Sequence, residues 1–200
     1  MLFGATCVTC SSPGSVLCPP CAERLRAAPP FAAPPGLDSC AALLRYDDAS
    51  RGLVVGLKYN NARLLVSRLA DALVALVPAD PAGTPGSVEL VTWAPTTAAR
   101  RRGRGFDHAH LLAAALARRL GRPCRALLAR GPGPPQTGRA RAERWEGPRF
   151  TLERGVPVVA GGVLVVDDVI TTGATLAAAA AVLRSAGCPA VHGVATARTP

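Results

Sequence analysis

Residues Val163 to Thr175 read VLVVDDVITTGAT, and this stretch limits the chain to a narrow set of folds. Val163, Leu164, Val165 and Val166 form a continuous apolar run of the kind that becomes a strand buried on both faces. Two adjacent carboxylates, Asp167 and Asp168, follow at its C-terminal end. A turn Val169-Ile170-Thr171-Thr172-Gly173-Ala174-Thr175 then leads into an alanine-rich helix. In an open α/β sheet, ligands bind in the crevice beyond the carboxyl ends of the strands, which is where these polar groups gather.

The turn offers threonine hydroxyls, a glycine with access to backbone angles closed to other residues, and the unpaired N–H groups of the next helix. Together these make a nest for a phosphate monoester, with the helix dipole behind it. The GxxxxGK[ST] pattern is absent and no lysine stands in this turn, which disfavours nucleotide hydrolysis of the P-loop type. Two carboxylates beside an anion site repel the ligand unless they engage hydroxyls or a divalent cation. The vicinal hydroxyls of a ribose, close to its 5'-phosphate, satisfy both demands.

A second constellation, Cys7-x2-Cys10-x7-Cys18-x2-Cys21, predicts four thiolates around one metal ion, with zinc expected. An iron–sulfur cluster or a pair of disulfides are the alternatives. Val16 and Leu17 are nearly the only apolar content of this segment, so a metal has to supply much of its folding energy. Four cysteine ligands leave no open position, which makes the metal architectural. Cys40 is a candidate substitute ligand, although a buried thiol is the plainer reading; the same plain reading applies to Cys124 and Cys188, placed on strand edges.

Lysine and arginine total 23 against 13 acidic residues, and all but Lys58 are arginine. With so much Ala, Gly, Pro and Val, that skew reads as the codon bias of a GC-rich genome more than as a nucleic-acid surface. Aromatic residues make up 4% of the chain, too few to build stacking platforms for single-stranded DNA. The N-terminal residues lack a basic segment and a long apolar run, and the apolar stretch over 176–183 is short and alanine-rich. Neither a signal peptide nor a membrane insertion is expected, and a cytoplasmic location follows.

The chain divides into a metal-binding module over 1–27, a proline-rich spacer over 28–36 that holds the module at arm's length, and an α/β body over 37–200. In the body, an apolar face over 51–57 ends in Lys58-Tyr59, and Leu65, Leu69 and Leu73 mark a helix stopped by Pro78. Strands are predicted over 88–94, 125–129, 163–168 and 190–197. Helices are predicted over 108–120, capped by Asp107 and ended by Gly121, and over 174–186 with Gly187 at its stop. Residues 79–87 read as a linker and 130–149 as a long loop. Strands alternating with helices give a parallel sheet with right-handed crossovers.

Residues 163–175 resemble the phosphoribosyl-pyrophosphate (PRPP) motif of type I phosphoribosyltransferases. From end to end, the chain resembles the ComF family of competence-associated phosphoribosyltransferase-like proteins. The pieces that carry this are Cys7 to Cys21, Lys58-Tyr59, Trp93-Ala94-Pro95-Thr96, Arg104-Gly105-Phe106-Asp107-His108, Gln136-Thr137-Gly138 with Glu143-Arg144, and 163–175. The resemblance implies a type I phosphoribosyltransferase-like parallel sheet with helices, plus a small N-terminal four-cysteine zinc knuckle. It implies PRPP with Mg2+ as ligand, and displacement at ribose C1 by a nucleobase or other nitrogen acceptor with release of pyrophosphate. Asp167 and Asp168 then take the ribose hydroxyls, and Thr171, Thr172, Gly173, Ala174 and Thr175 cradle the 5'-phosphate. Ala94, Pro95 and Thr96 face pyrophosphate, Lys58, the one lysine of the chain, is a further ligand-binding candidate, Arg104 and Arg144 neutralise pyrophosphate as it leaves, and the loop 130–149 closes as a hood.

This chain differs from the family pattern at Asp107-His108, where Asn-Gln is usual, at Thr171, where an acid is common, and after Arg144, where Glu146-Gly147-Pro148 replaces an Asn. The first and last fall where pyrophosphate or the incoming base is recognised. Two alternatives to transfer follow: a PRPP- or nucleotide-binding regulatory or assembly protein acting with a competence-machinery partner in DNA uptake, and a protein that handles single-stranded DNA.

Overall fold

In the computed structural model, residues 5–57, 62–78, 87–97, 107–131, 148–155 and 161–200 are described. The elements in chain order are α1 (Pro19–Glu23), β1 (Ser39–Arg45), α2 (Asp48–Gly56), α3 (Ala62–Val74), β2 (Val88–Trp93), α4 (His108–Leu120), β3 (Leu128–Arg130), β4 (Phe150–Leu152), β5 (Gly162–Ile170), α5 (Ala174–Ser185) and β6 (Val191–Arg198).

Four strands form one sheet in the order β1-β6-β5-β2, and every neighbouring pair is parallel. Strand β5 is central and wholly apolar up to Asp167 because helices or a hairpin cover both of its faces. Its side chains divide by parity: Leu164 and Val166 enter one cluster with Leu53, Leu65 and Leu112 from α2, α3 and α4. Val163 and Val165 enter the other, with Leu176 and Leu183 from α5 and with Leu128 and Phe150 from the antiparallel β3–β4 pair. The architecture is an α/β parallel sheet layered between helices.

Side-chain caps mark two of the helices. The Asp47 carboxylate accepts the Ala49 and Ser50 N–H groups at the start of α2, and the Ser50 hydroxyl in turn accepts the Asp47 N–H, forming a capping box. Asp107 caps α4, and Gly121 ends it at φ +63°.

Four departures from expectation concern the elements. Strand β1 was unmarked in the sequence. Strand β4 lies just beyond the expected loop, pairing with a β3 that starts three residues later than predicted. Val169 and Ile170 belong to β5 instead of the turn, pairing with Ala197 and Arg198. The proline-rich segment does not hold the cysteine module away from the body. Ala28 N–H donates to the Leu43 carbonyl, Arg45 N–H to that of Arg26, and Ala27 bridges Leu44, so the chain entering this segment lies along the outer side of β1. Val16 is buried in the same cluster as Leu53 and Leu57, with Val8, Leu17 and Leu25 packed against it. These apolar residues have nothing to bury against within so short a module, and α2 supplies the surface. On the other outer strand, Val91 bridges Cys124.

Candidate functional site

The C-terminal ends of β2 and β5 open side by side, and a cavity of about 360 Å³ lies across them. Asp167, Asp168 and Val169 line it from β5 and Thr175 from the first turn of α5. Ala94 and Thr96 line it from the turn after β2, Asp107, His108 and Ala109 from the start of α4, and Arg130 from β3. The expected acidic pair, the expected β2 turn and one residue of the expected phosphate loop therefore meet at one place.

Each carboxylate of the pair uses one oxygen on the backbone ahead of it. Asp167 Oδ1 accepts the Asp168 N–H at 2.8 Å, and Asp168 Oδ1 accepts the Val169 N–H at 2.8 Å. Asp167 is 9% exposed, whereas Asp168 is half-buried. Burial, then the neighbouring charge of Asp168, pushes the Asp167 carboxyl well above the usual range, with Asp107 adding to the effect and the Asp168 N–H opposing it. A hydroxyl donor or a cation brought to this pair would lower that cost.

The loop after β5 brings a left-handed glycine to the start of a helix. Gly173, the N-cap of α5, stands at φ +80° and offers the helix N–H groups no side chain of its own. The Thr172 hydroxyl accepts the Ala174 N–H at 3.3 Å, which folds the turn on itself, and Thr171 and Thr172 are exposed. A β-carbon on Gly173 would lie 2.7 Å from Pro34 Cγ, so space as well as backbone angle requires glycine there.

The β2 turn differs in character. Thr96 N–H donates to Asp107 Oδ2 at 3.0 Å, while Asp107 Oδ1 accepts the Ala109 N–H at 3.2 Å. The Thr96 amide, expected to face pyrophosphate, is thus engaged by a carboxylate of the chain itself. Arg130 donates to the Pro95 carbonyl at 3.3 Å and lies over the Phe150 ring, 5.7 Å from its centroid. Trp93 stacks on His110 with ring centroids 4.2 Å apart. Sequence reasoning missed Arg130 as a cleft residue, because one arginine among 22 carries no signal of its own. Asp107 was legible as a cap and as a departure from the family pattern, but its second bond was not. Lys58, Arg104 and Arg144, with the hood residues 132–147, lie outside the described residues.

The second candidate centre is the cysteine cluster. The ligand atoms of Cys7, Cys10, Cys18 and Cys21 all lie within 4.8 Å of one another, and among the described residues no other such group is found. Cys10 Sγ and Cys18 Sγ are 3.6 Å apart. A tetrahedral ion with sulfur ligands at ~2.3 Å sets sulfur–sulfur edges of about 3.8 Å, so the donor set fits a chelated metal. Its electrostatics are uneven. The Cys7 thiol is brought down to about 6, since the pull of backbone hydrogen bonds around Cys18, Cys10 and Thr9 outweighs the effect of burial. Cys21 is pushed up to about 12 by Cys18, by burial and by the other thiols. Crowded thiols resist sharing negative charge, and a cation between them removes that resistance. Cys40 lies instead on β1, where burial and then Asp167 raise its thiol to about 11. It is no part of this cluster.

No protein-family model and no curated protein matches the chain. Among solved structures, orotate phosphoribosyltransferase from Aeropyrum pernix aligns over 78% of this chain and 67% of its own, with 24% identity and a TM-score of 0.39. That is a weak and partial likeness. Among the described residues no helix is long and apolar enough to cross a membrane.

Proposed function

We propose that the cleft binds PRPP with Mg2+ and that the protein is a phosphoribosyltransferase-like protein, with transfer to a nitrogen acceptor as its reaction. One observation carries the reading: Asp167, Asp168 and Thr175 line a single cavity, joined by a short threonine–glycine loop that leads into a helix whose N-cap is a glycine. Carboxylates suit a diol and a bound cation; open amides at a helix start suit a phosphoryl group. No other pairing of ligand groups uses both halves so simply.

In this reading Asp167 and Asp168 hold the ribose hydroxyls and Thr171 to Thr175 hold the 5'-phosphate. Mg2+, when bound, supplies positive charge to the departing pyrophosphate. The bond from ribose C1 to the pyrophosphate oxygen breaks, its electron pair leaving with the pyrophosphate. A C1–N bond forms to the acceptor, which gives up a proton. Arg104 and Arg144 are assigned to the leaving charge, and Lys58 with Ala94, Pro95 and Thr96 to its positioning. Cys7, Cys10, Cys18 and Cys21 hold an architectural Zn2+.

A second reading, PRPP or nucleotide binding without transfer in a regulatory or assembly role, is favoured by the Thr96 amide being taken by Asp107. Calorimetric titration of PRPP with Mg2+ into the full chain and its Asp168→Ala variant tests the site common to both readings. Binding by the parent alone is expected, and equal affinities overturn the assignment. Pyrophosphate release that needs both PRPP and an acceptor distinguishes transfer from binding.

A further inference from the structure

We propose that Asp107 determines what charge the cleft accepts, its carboxylate standing in for an anion on the Thr96 and Ala109 amides and turning a metal-free diphosphate away from that end. The inference rests on the ribose-phosphate site proposed above and concerns other residues that line the same cavity.

Two amides from different elements converge on this one side chain. Thr96 N–H comes from the turn after β2 and Ala109 N–H from the first turn of α4, and each reaches a different oxygen, at 3.0 and 3.2 Å. Backbone N–H groups that converge from a turn and a helix start are a standard means of holding an anion. Here the anion is covalently part of the chain. An N-cap requires only the Ala109 bond. The bond to Thr96 goes beyond capping, and it occupies a donor at the cavity wall.

Charge points the same way. Asp107, Asp167 and Asp168 all line the cavity, against Arg130 as its cationic lining residue among those described. An incoming group with several negative charges meets the Asp107 carboxylate first as a competitor for two amides and then as a like charge. A single phosphoryl group at the Thr171–Thr175 loop is held by the segment between β5 and α5, which supplies neither of the two amides that Asp107 engages.

The test uses two probes on the full chain: ribose 5-phosphate, and inorganic pyrophosphate with chelator present so that no divalent cation screens it. The variants are Asp107→Asn, which removes the charge and keeps the shape, and Asp107→Ser, which keeps a good N-cap with a shorter side chain. Both variants are expected to bind pyrophosphate at least about tenfold more tightly than the parent, the size of effect that one nearby like charge produces. Ribose 5-phosphate affinity should change by less than about twofold. If ribose 5-phosphate binds but neither variant gains pyrophosphate affinity, the role of Asp107 is overturned and the ribose-phosphate site stands. Equal gains for both probes also overturn it, since they report only a general change of field. If no form binds ribose 5-phosphate, the proposed function itself fails, and this inference with it.

Discussion

Gly56, at the end of α2, lies so close to Val8 that a β-carbon there would sit 2.5 Å from Val8 Cβ and 2.9 Å from Val8 Cγ1. One turn earlier, a β-carbon on Gly52 would lie 3.0 Å from Thr9 Cγ2 and 3.1 Å from Thr9 Cα. The two glycines form a flat strip on which the first cysteine knuckle rests. Gly56→Ala should cost about 1–3 kcal/mol, because Val8 is tied by its N–H to the Val16 carbonyl and cannot swing aside freely. Thermal unfolding of the variant measures this. An unchanged midpoint would mean that the module is not seated on α2.

Metal content offers a separate prediction. Full chain purified without added metal should carry one zinc ion, and Cys18→Ser should carry little or none. Binding requires thiolates, so acidification should release the ion, and removal by chelator should lower the unfolding temperature of the holoprotein. A metal-free chain with an unchanged unfolding profile would show that the thiols hold the knuckle unaided.

Asp167 predicts a pH dependence of definite sign. Its carboxyl is raised above the ordinary value of 3.8 by burial and by Asp168. Below 3.8 the group is protonated in folded and unfolded chains alike and contributes no penalty. As pH rises through the folded-state value, the folded chain must charge a group that resists charging, so stability falls. Asp167→Asn should therefore raise the unfolding midpoint at neutral pH, with the advantage shrinking towards acid pH. It should also abolish PRPP binding. The same stability gain in acid and at neutral pH would contradict this account.

Gly173→Ala should destabilise the fold by about 1–2 kcal/mol and weaken ribose 5-phosphate binding together. A left-handed backbone and the contact with Pro34 both oppose a side chain there. Pairing the substitution with Pro34→Ala relieves the contact alone. The double variant should recover part of the stability, and no recovery would place the whole effect in the backbone angle.

How much of this could be read from the sequence depends on whether the determinants are local. The central strand and its loop were legible because an unbroken apolar run, an acidic pair and a threonine–glycine turn stand next to one another. Helix α4 was legible because Asp107 and Gly121 bracket it. Strand β1 was not, since Ser39-Cys40-Ala41-Ala42-Leu43-Leu44-Arg45 contains no β-branched residue and no alternation; it is a strand because β6 pairs with it. Three-residue β4 exists only opposite β3. In the cleft, Arg130 arrives from β3, and no spacing along the chain records that meeting. The likeness of Asp107 to any helix cap likewise hid its reach to Thr96, eleven residues back.

Open parallel sheets end in two rows of backbone groups that invite a further strand from another molecule. Here the bridge between Ala27 and Leu44 engages one margin and that between Val91 and Cys124 the other. Proline follows closely on the first side, in the run Pro29-Pro30, and Pro123 sits beside the second. Residues that look like a mere tether to the cysteine module thus occupy part of a margin on which a strand from another molecule would otherwise pair. Shortening that tether should cost the protein its colloidal behaviour well before it costs the cleft its shape.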